Sequence, residues 1–142
     1  MDVFLICRDA LEDAVLANVA VAMDARRRGA QAAILFTGEA LAALAGQSFG
    51  WSPLFRSREA RIVISRGATR LGIPLSAERD DRWTDLHRLL EAARLSGIEL
   101  LACPVWSEIL GIRDALPDAL RHVHDLAALD EVMAGRRVIG AF

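Results

Sequence analysis

Cys103 is the residue best placed for chemistry. It stands in the segment Ile98-Glu-Leu-Leu-Ala-Cys-Pro-Val-Trp-Ser-Glu-Ile-Leu-Gly-Ile112. Leu100 to Ala102 read as a short buried strand, and Val105, Ile109 and Ile112 follow at helical spacing. Pro104 suits the first helical position, where its missing N–H would have had no partner anyway. Cys103 would then cap the helix, where unpaired amides and the helix dipole favour the thiolate, the nucleophilic form of sulfur. A packed, inert thiol is the alternative, since free cysteines are among the most buried residue types. The second thiol, Cys7, lies in an all-apolar run and reads as core. A bridge between the two would need Cα atoms within about 7 Å, which their sequence positions leave open.

Other polar candidates are weaker. His122 and His124 flank Val123 with no nearby cysteine or carboxylate ligand pattern, so a surface loop is favoured over a metal site. His87 falls within a helical stripe and reads as solvated. Glu108, one turn beyond Cys103, could move protons, but its charge would oppose a thiolate, so an exposed helix position is preferred. Trp106 could wall a pocket beside Cys103, or serve the core or a subunit contact. Neither G-x-G-x-x-G nor G-x-S-x-G occurs, so a dinucleotide site and a nucleophile-elbow hydrolase are unsupported.

Composition narrows the classes further. The chain has 142 residues, enough for one domain with a real core. Hydrophobic residues make up 54%, a surplus that calls for a sheet covered on both faces or for burial between subunits. No apolar run reaches the roughly 18 residues of a spanning helix, so no membrane insertion is expected. Met1-Asp2-Val3-Phe4 carries no basic stretch before a hydrophobic run, so no secretory signal is expected. Two cysteines in such a chain suggest a reducing cytoplasm. A net charge of −2 argues against a nucleic-acid partner. Every basic residue is arginine, which excludes lysine Schiff bases, pyridoxal attachment and a Walker A loop.

The elements that must position these residues alternate between strand and helix. Val3 to Cys7 predict a strand, and Asp9-Ala-Leu-Glu12 a capping box opening a helix to Arg28, stopped by Gly29. Ala32 to Phe36 predict the second strand, with Thr37-Gly38-Glu39 turning into a short helix ending near Gly46. Residues 47–82 read as a solvated, partly helical excursion, with a lid or subunit contact as the alternative. Within it Ile62-Val63-Ile64 suits a strand, yet Ala60, Val63 and Gly67 fit a helical face. Trp83, Leu86, Leu90 and Ala93 form one helical stripe ended by Gly97. After the strand and helix around Cys103, Pro117 starts a turn, Leu126, Leu129 and Met133 line a last helix, and Arg136 to Phe142 close the chain as a strand. This alternation predicts a three-layer α/β domain with a mostly parallel sheet, residues 1–142 forming one unit. In such a sheet, chemistry gathers at the carboxyl ends of the strands, where Cys7, Thr37 with Gly38, and Cys103 would fall.

The chain resembles the DsrE/DsrF-like family of small sulfur-relay proteins. The resemblance rests on LLACPVWSEILGI, on the first strand and helix, on GAQAAILFTGEAL and on the closing DEVMAGRRVIGAF. Residues 47–82 match poorly. What the resemblance implies is a flavodoxin-like domain assembled as a homo-oligomer, a trimer or hexamer. Cys103 would carry sulfane sulfur as a persulfide between donor and acceptor proteins, with no metal or organic cofactor. Two features depart from the family: the turn Thr37-Gly38-Glu39-Ala40 lacks its Gly-Val pair, and Pro104 directly follows the cysteine. The rival expectations are a non-catalytic assembly protein of the same fold and a thiol redox sensor in which Cys7 or an intersubunit cysteine resolves oxidised Cys103.

Overall fold

The computed structural model describes residues 2–73 and 82–140, the side chains of 82–84 excepted. Strands β1 (Val3–Cys7), β2 (Ala32–Phe36), β3 (Glu99–Ala102), β4 (Arg121–His122) and β5 (Arg137–Ile139) form one sheet in the order β4-β3-β2-β1-β5. Every pairing is parallel. Both β1 and β2 are apolar throughout because each is flanked by strands and covered on both faces. The helices are α1 (Glu12–Arg27), α2 (Gly38–Gly46), α3 (Arg58–Arg70), α4 (Arg82–Leu95), α5 (Pro104–Leu110) and α6 (Leu126–Met133).

From β1 to β4 the chain steps in one direction, and β5 then returns to the far side of β1. Right-handed crossovers put α1 and α4 on one face and α6 on the other, giving three layers. Contacts of α1 with β1, β2 and α4 agree with that placement. Register aligns Leu5 with Ile34 and Ile34 with Leu100 on one face, all buried. The opposite face carries Phe4, Ala33 and Leu35 in its buried centre. Toward its margins it opens to solvent at Val138, beside Phe4, and at Glu99, which pairs with Arg121 and Arg136 at 3.2 Å each. The Arg121 pair is exposed and contributes about 1 kcal/mol or less, while Arg136 is largely buried beside Glu99.

The first helix does not begin as its local sequence suggests. Leu11, not Asp9, is its cap residue, and no side chain caps it. A distant segment takes that role. Glu12 N donates to Gly50 O at 2.7 Å, Gly50 N donates to Ala10 O at 3.3 Å, and Leu11 and Gly50 form an isolated parallel bridge. The Asp13 carboxylate then accepts from Ser52 N at 2.9 Å and from Ser52 Oγ at 2.6 Å. With the Glu12 N–H answered by Gly50 O, α1 starts two residues later than a capping box would place it. At its other end Gly29 adopts φ +83°, and the helix stops there as expected.

Ile62-Val63-Ile64 is helical, within α3, whose cap Ser57 accepts from Ala60 N at 3.1 Å. The inward face of α3 is Ile64, Ser65 and Ala68, not the expected Ala60, Val63 and Gly67; Val63 faces solvent. Arginine and acid positions between 74 and 81 lie outside the described residues. In α4, Leu86, Leu90 and Ala93 are buried together with Leu89, while the Trp83 side chain lies outside the description. The expected stripe of α5 is reversed. Val105 and Ile109 point outward, Ile112 lies beyond the helix end, and Ser107 is the buried residue. Asp125 caps α6 through Ala128 N at 2.8 Å, and Leu129 is buried, whereas Leu126 is exposed. The closing strand is shorter than expected, ending at Ile139, with residues 141–142 outside the described residues. No described helix is long and apolar enough to cross a membrane.

Candidate functional site

Because all five strands run the same way, their carboxyl ends share one edge. Cys7 ends β1, Thr37 follows β2, and Cys103 follows β3. Backbone bonds bind the three together, Thr37 N donating to Cys7 O and Cys103 N to Phe36 O, each at 3.1 Å.

Cys103 occupies the cap position of α5 with extended backbone, and Pro104 opens the helix. Ser107 N donates to Cys103 O at 3.0 Å, closing the first turn. The Cys103 side chain makes no capping bond, so the expected sulfur-to-amide contact is not formed. The residue is 6% exposed. Its chain neighbour Pro104, with Ser107, Glu108, Arg113, His122 and His124, lines a small polar pocket of about 40 Å³ that Cys103 itself does not line. His122 belongs to β4, in register with Ala102, and shares the lining of this pocket with His124 and Glu108. Both histidines are exposed, in keeping with a surface position. Among the described residues no group of three or more His, Cys, Asp or Glu side chains is placed to hold a metal.

Cys7 is a different thiol. It is 1% exposed, and burial, with the nearby Asp9 charge adding to it, pushes its pKa up to about 12. Register pairs Cys7 with Phe36 and Phe36 with Ala102, so β2 lies between the two cysteine-bearing strands. Two strand spacings amount to about 9.6 Å, beyond the roughly 7 Å a disulfide tolerates. Both cysteines are free.

The other expected site residues converge elsewhere on the same edge. Thr37, Gly38 and Trp106 line one open cleft of about 650 Å³. Ile6 and Arg8-Asp9 from the end of β1, Glu39 and Ala42 from α2, and Leu110 from α5 complete it. Ala40 N donates to Arg8 O at 3.0 Å, fastening the β1 and β2 loops to each other. Gly38 takes φ +53° at the turn into α2, a conformation that favours glycine. Cys103 does not line this cleft. The cleft sits at the carboxyl ends of β1 and β2, the edge at which ligands bind in open α/β sheets.

Sequence reading missed Arg8, Asp9 and Glu39. Asp9 was taken up by the expected helix cap, and the charges were not weighed as a set. Their signal was present: each directly follows a strand or its turn, on the edge already singled out. Compared with known proteins, the chain matches no family model, and no similar curated protein is found.

Proposed function

We propose that this chain is a DsrE/DsrF-type sulfur-relay protein in which Cys103 carries sulfane sulfur as a persulfide. The observation that carries the reading is the contrast between its two thiols. Cys7 is sealed in the sheet with its proton held to about pH 12, whereas Cys103, 6% exposed, has left its strand and stands at a helix cap whose next residue, Pro104, lines a polar pocket. In the first step the Cys103 thiolate attacks the sulfane sulfur of a donor persulfide. A new S–S bond forms, the donor S–S bond breaks, and the donor leaves as its thiolate. In the second, an acceptor thiolate attacks the outer sulfur and releases Cys103 thiolate, so the cycle needs neither oxidant nor cofactor. Donor and acceptor proteins are its partners, and a cytoplasmic homo-oligomer, trimer or hexamer, is its form.

One observation favours a second reading, an assembly protein without chemistry. Helix α5 turns Val105, Trp106 and Ile109 outward, the last 64% exposed. The redox-sensor reading loses its intramolecular partner, since Cys7 is two strands away. Alkylation of the native protein, resolved by peptide mass, separates the first two. The relay reading expects Cys103 to be modified while Cys7 reacts only on unfolding. Equal inertness of both thiols would leave the assembly reading.

A further inference from the structure

The cleft at the carboxyl ends of β1 and β2 has a chemistry of its own, and the inference from it stands apart from any reaction at Cys103. Arg8, Asp9 and Glu39 line it, all exposed, giving one positive and two negative charges, a net of −1. None of the ion pairs among the described residues uses any of the three, whether with one another or with a neighbour. Opposite charges are thus held around one space without neutralising each other. Beside Thr37 and Gly38, the rest of the lining is apolar: Ile6 from β1, Ala42 from α2, and Trp106 and Leu110 from α5. Its volume, about 650 Å³, falls in the range of small-molecule sites.

This combination selects among ligands. A phosphorylated ligand would bring several negative charges against two carboxylates and a single guanidinium. A simple cation would find the carboxylates but leave Arg8 facing like charge. We propose that the cleft binds a zwitterionic small molecule of amino-acid type, with an ammonium and a carboxylate beside an apolar side group. The ligand carboxylate goes to Arg8 and to the Gly38 and Glu39 amides at the start of α2, which have no intrahelical acceptor. Its ammonium goes to Asp9 and Glu39, and its side group lies against the Trp106 indole.

Three probes isolate the two charges: L-phenylalanine, its N-acetyl form without the cation, and its methyl ester without the anion. They are titrated into ¹⁵N-labelled full-length protein while the amides of Gly38 and Glu39 and the Trp106 indole N–H are followed. L-Phenylalanine is expected to shift all three groups saturably, with each capped form weaker by about tenfold or more. Arg8→Gln should lower L-phenylalanine binding to the level of the methyl ester and leave the ester unchanged. Glu39→Gln should weaken L-phenylalanine and the ester together and spare the N-acetyl form. Both side chains are exposed, so the fold is not at stake. A capped form binding as tightly as the zwitterion, or no saturable shift at these three groups, overturns the proposal.

Discussion

At the scale of the residue, the two thiols differ through their surroundings. Burial holds the Cys7 proton to about pH 12, against 9.0 for an ordinary thiol. Between those values the unfolded chain has released the proton and the folded chain has not. The unfolded state then binds fewer protons, so stability falls as pH rises through this window, by on the order of 4 kcal/mol at the limit. The chain contains neither lysine nor tyrosine, so few other side chains titrate there. Denaturant midpoints measured from pH 8 to 11 should therefore decline in the wild type. In Cys7→Ala the decline should be shallower, from a starting stability about 1 kcal/mol lower. Parallel slopes in the two proteins would mean that the Cys7 proton is not held by the fold. Thr37, Gly38 and Trp106 could be picked out in sequence because each follows a strand or opens a helix. That Cys103 lies outside their cleft could not be read, because which side of α5 turns inward is decided by α2 and β4.

At the scale of the element, the sequence was most legible where one chemical type ran unbroken. β1 and β2 have the bounds expected of them, because a strand covered on both faces leaves a continuous apolar run. Legibility failed where a partner distant in sequence intervened. Asp9 and Glu12 have the spacing of a capping box, but Gly50 O takes the Glu12 N–H, and Ser52, 39 residues from Asp13, ties that segment to the helix by donating to the Asp13 carboxylate. A test follows from the exchange of roles. Asp13→Ala removes both bonds to Ser52 and should cost about 1–3 kcal/mol in urea denaturation. Asp9→Ala, the loss of the supposed cap, should stay within about 0.5 kcal/mol. The reverse ranking would restore Asp9 as the cap. The α5 stripe was misread for another reason. Periodicity identifies the apolar side of a helix but not what that side meets, and here Val105 and Ile109 meet solvent.

At the scale of the whole molecule, the three-layer parallel architecture was legible from the alternation of elements, and it puts every candidate residue on one edge. The 54% hydrophobic content is only partly absorbed by that architecture. Val105 and Ile109 on α5, outside the cleft, remain exposed, as does Val138 at the sheet margin. The proposed homo-oligomer buries such surface. Sedimentation velocity should then find a trimer or hexamer that Ile109→Glu converts to smaller species with unchanged circular dichroism. A wild-type monomer at all concentrations would remove assembly from the proposal. The central claim, sulfur carriage by Cys103, is tested most directly by intact mass after incubation with a sulfane-sulfur donor, beside Cys103→Ser. The expected result is a gain of about 32 Da, one sulfur atom, released by reductant and absent from Cys103→Ser. No gain in the folded wild type, or an equal gain in Cys103→Ser, would contradict it.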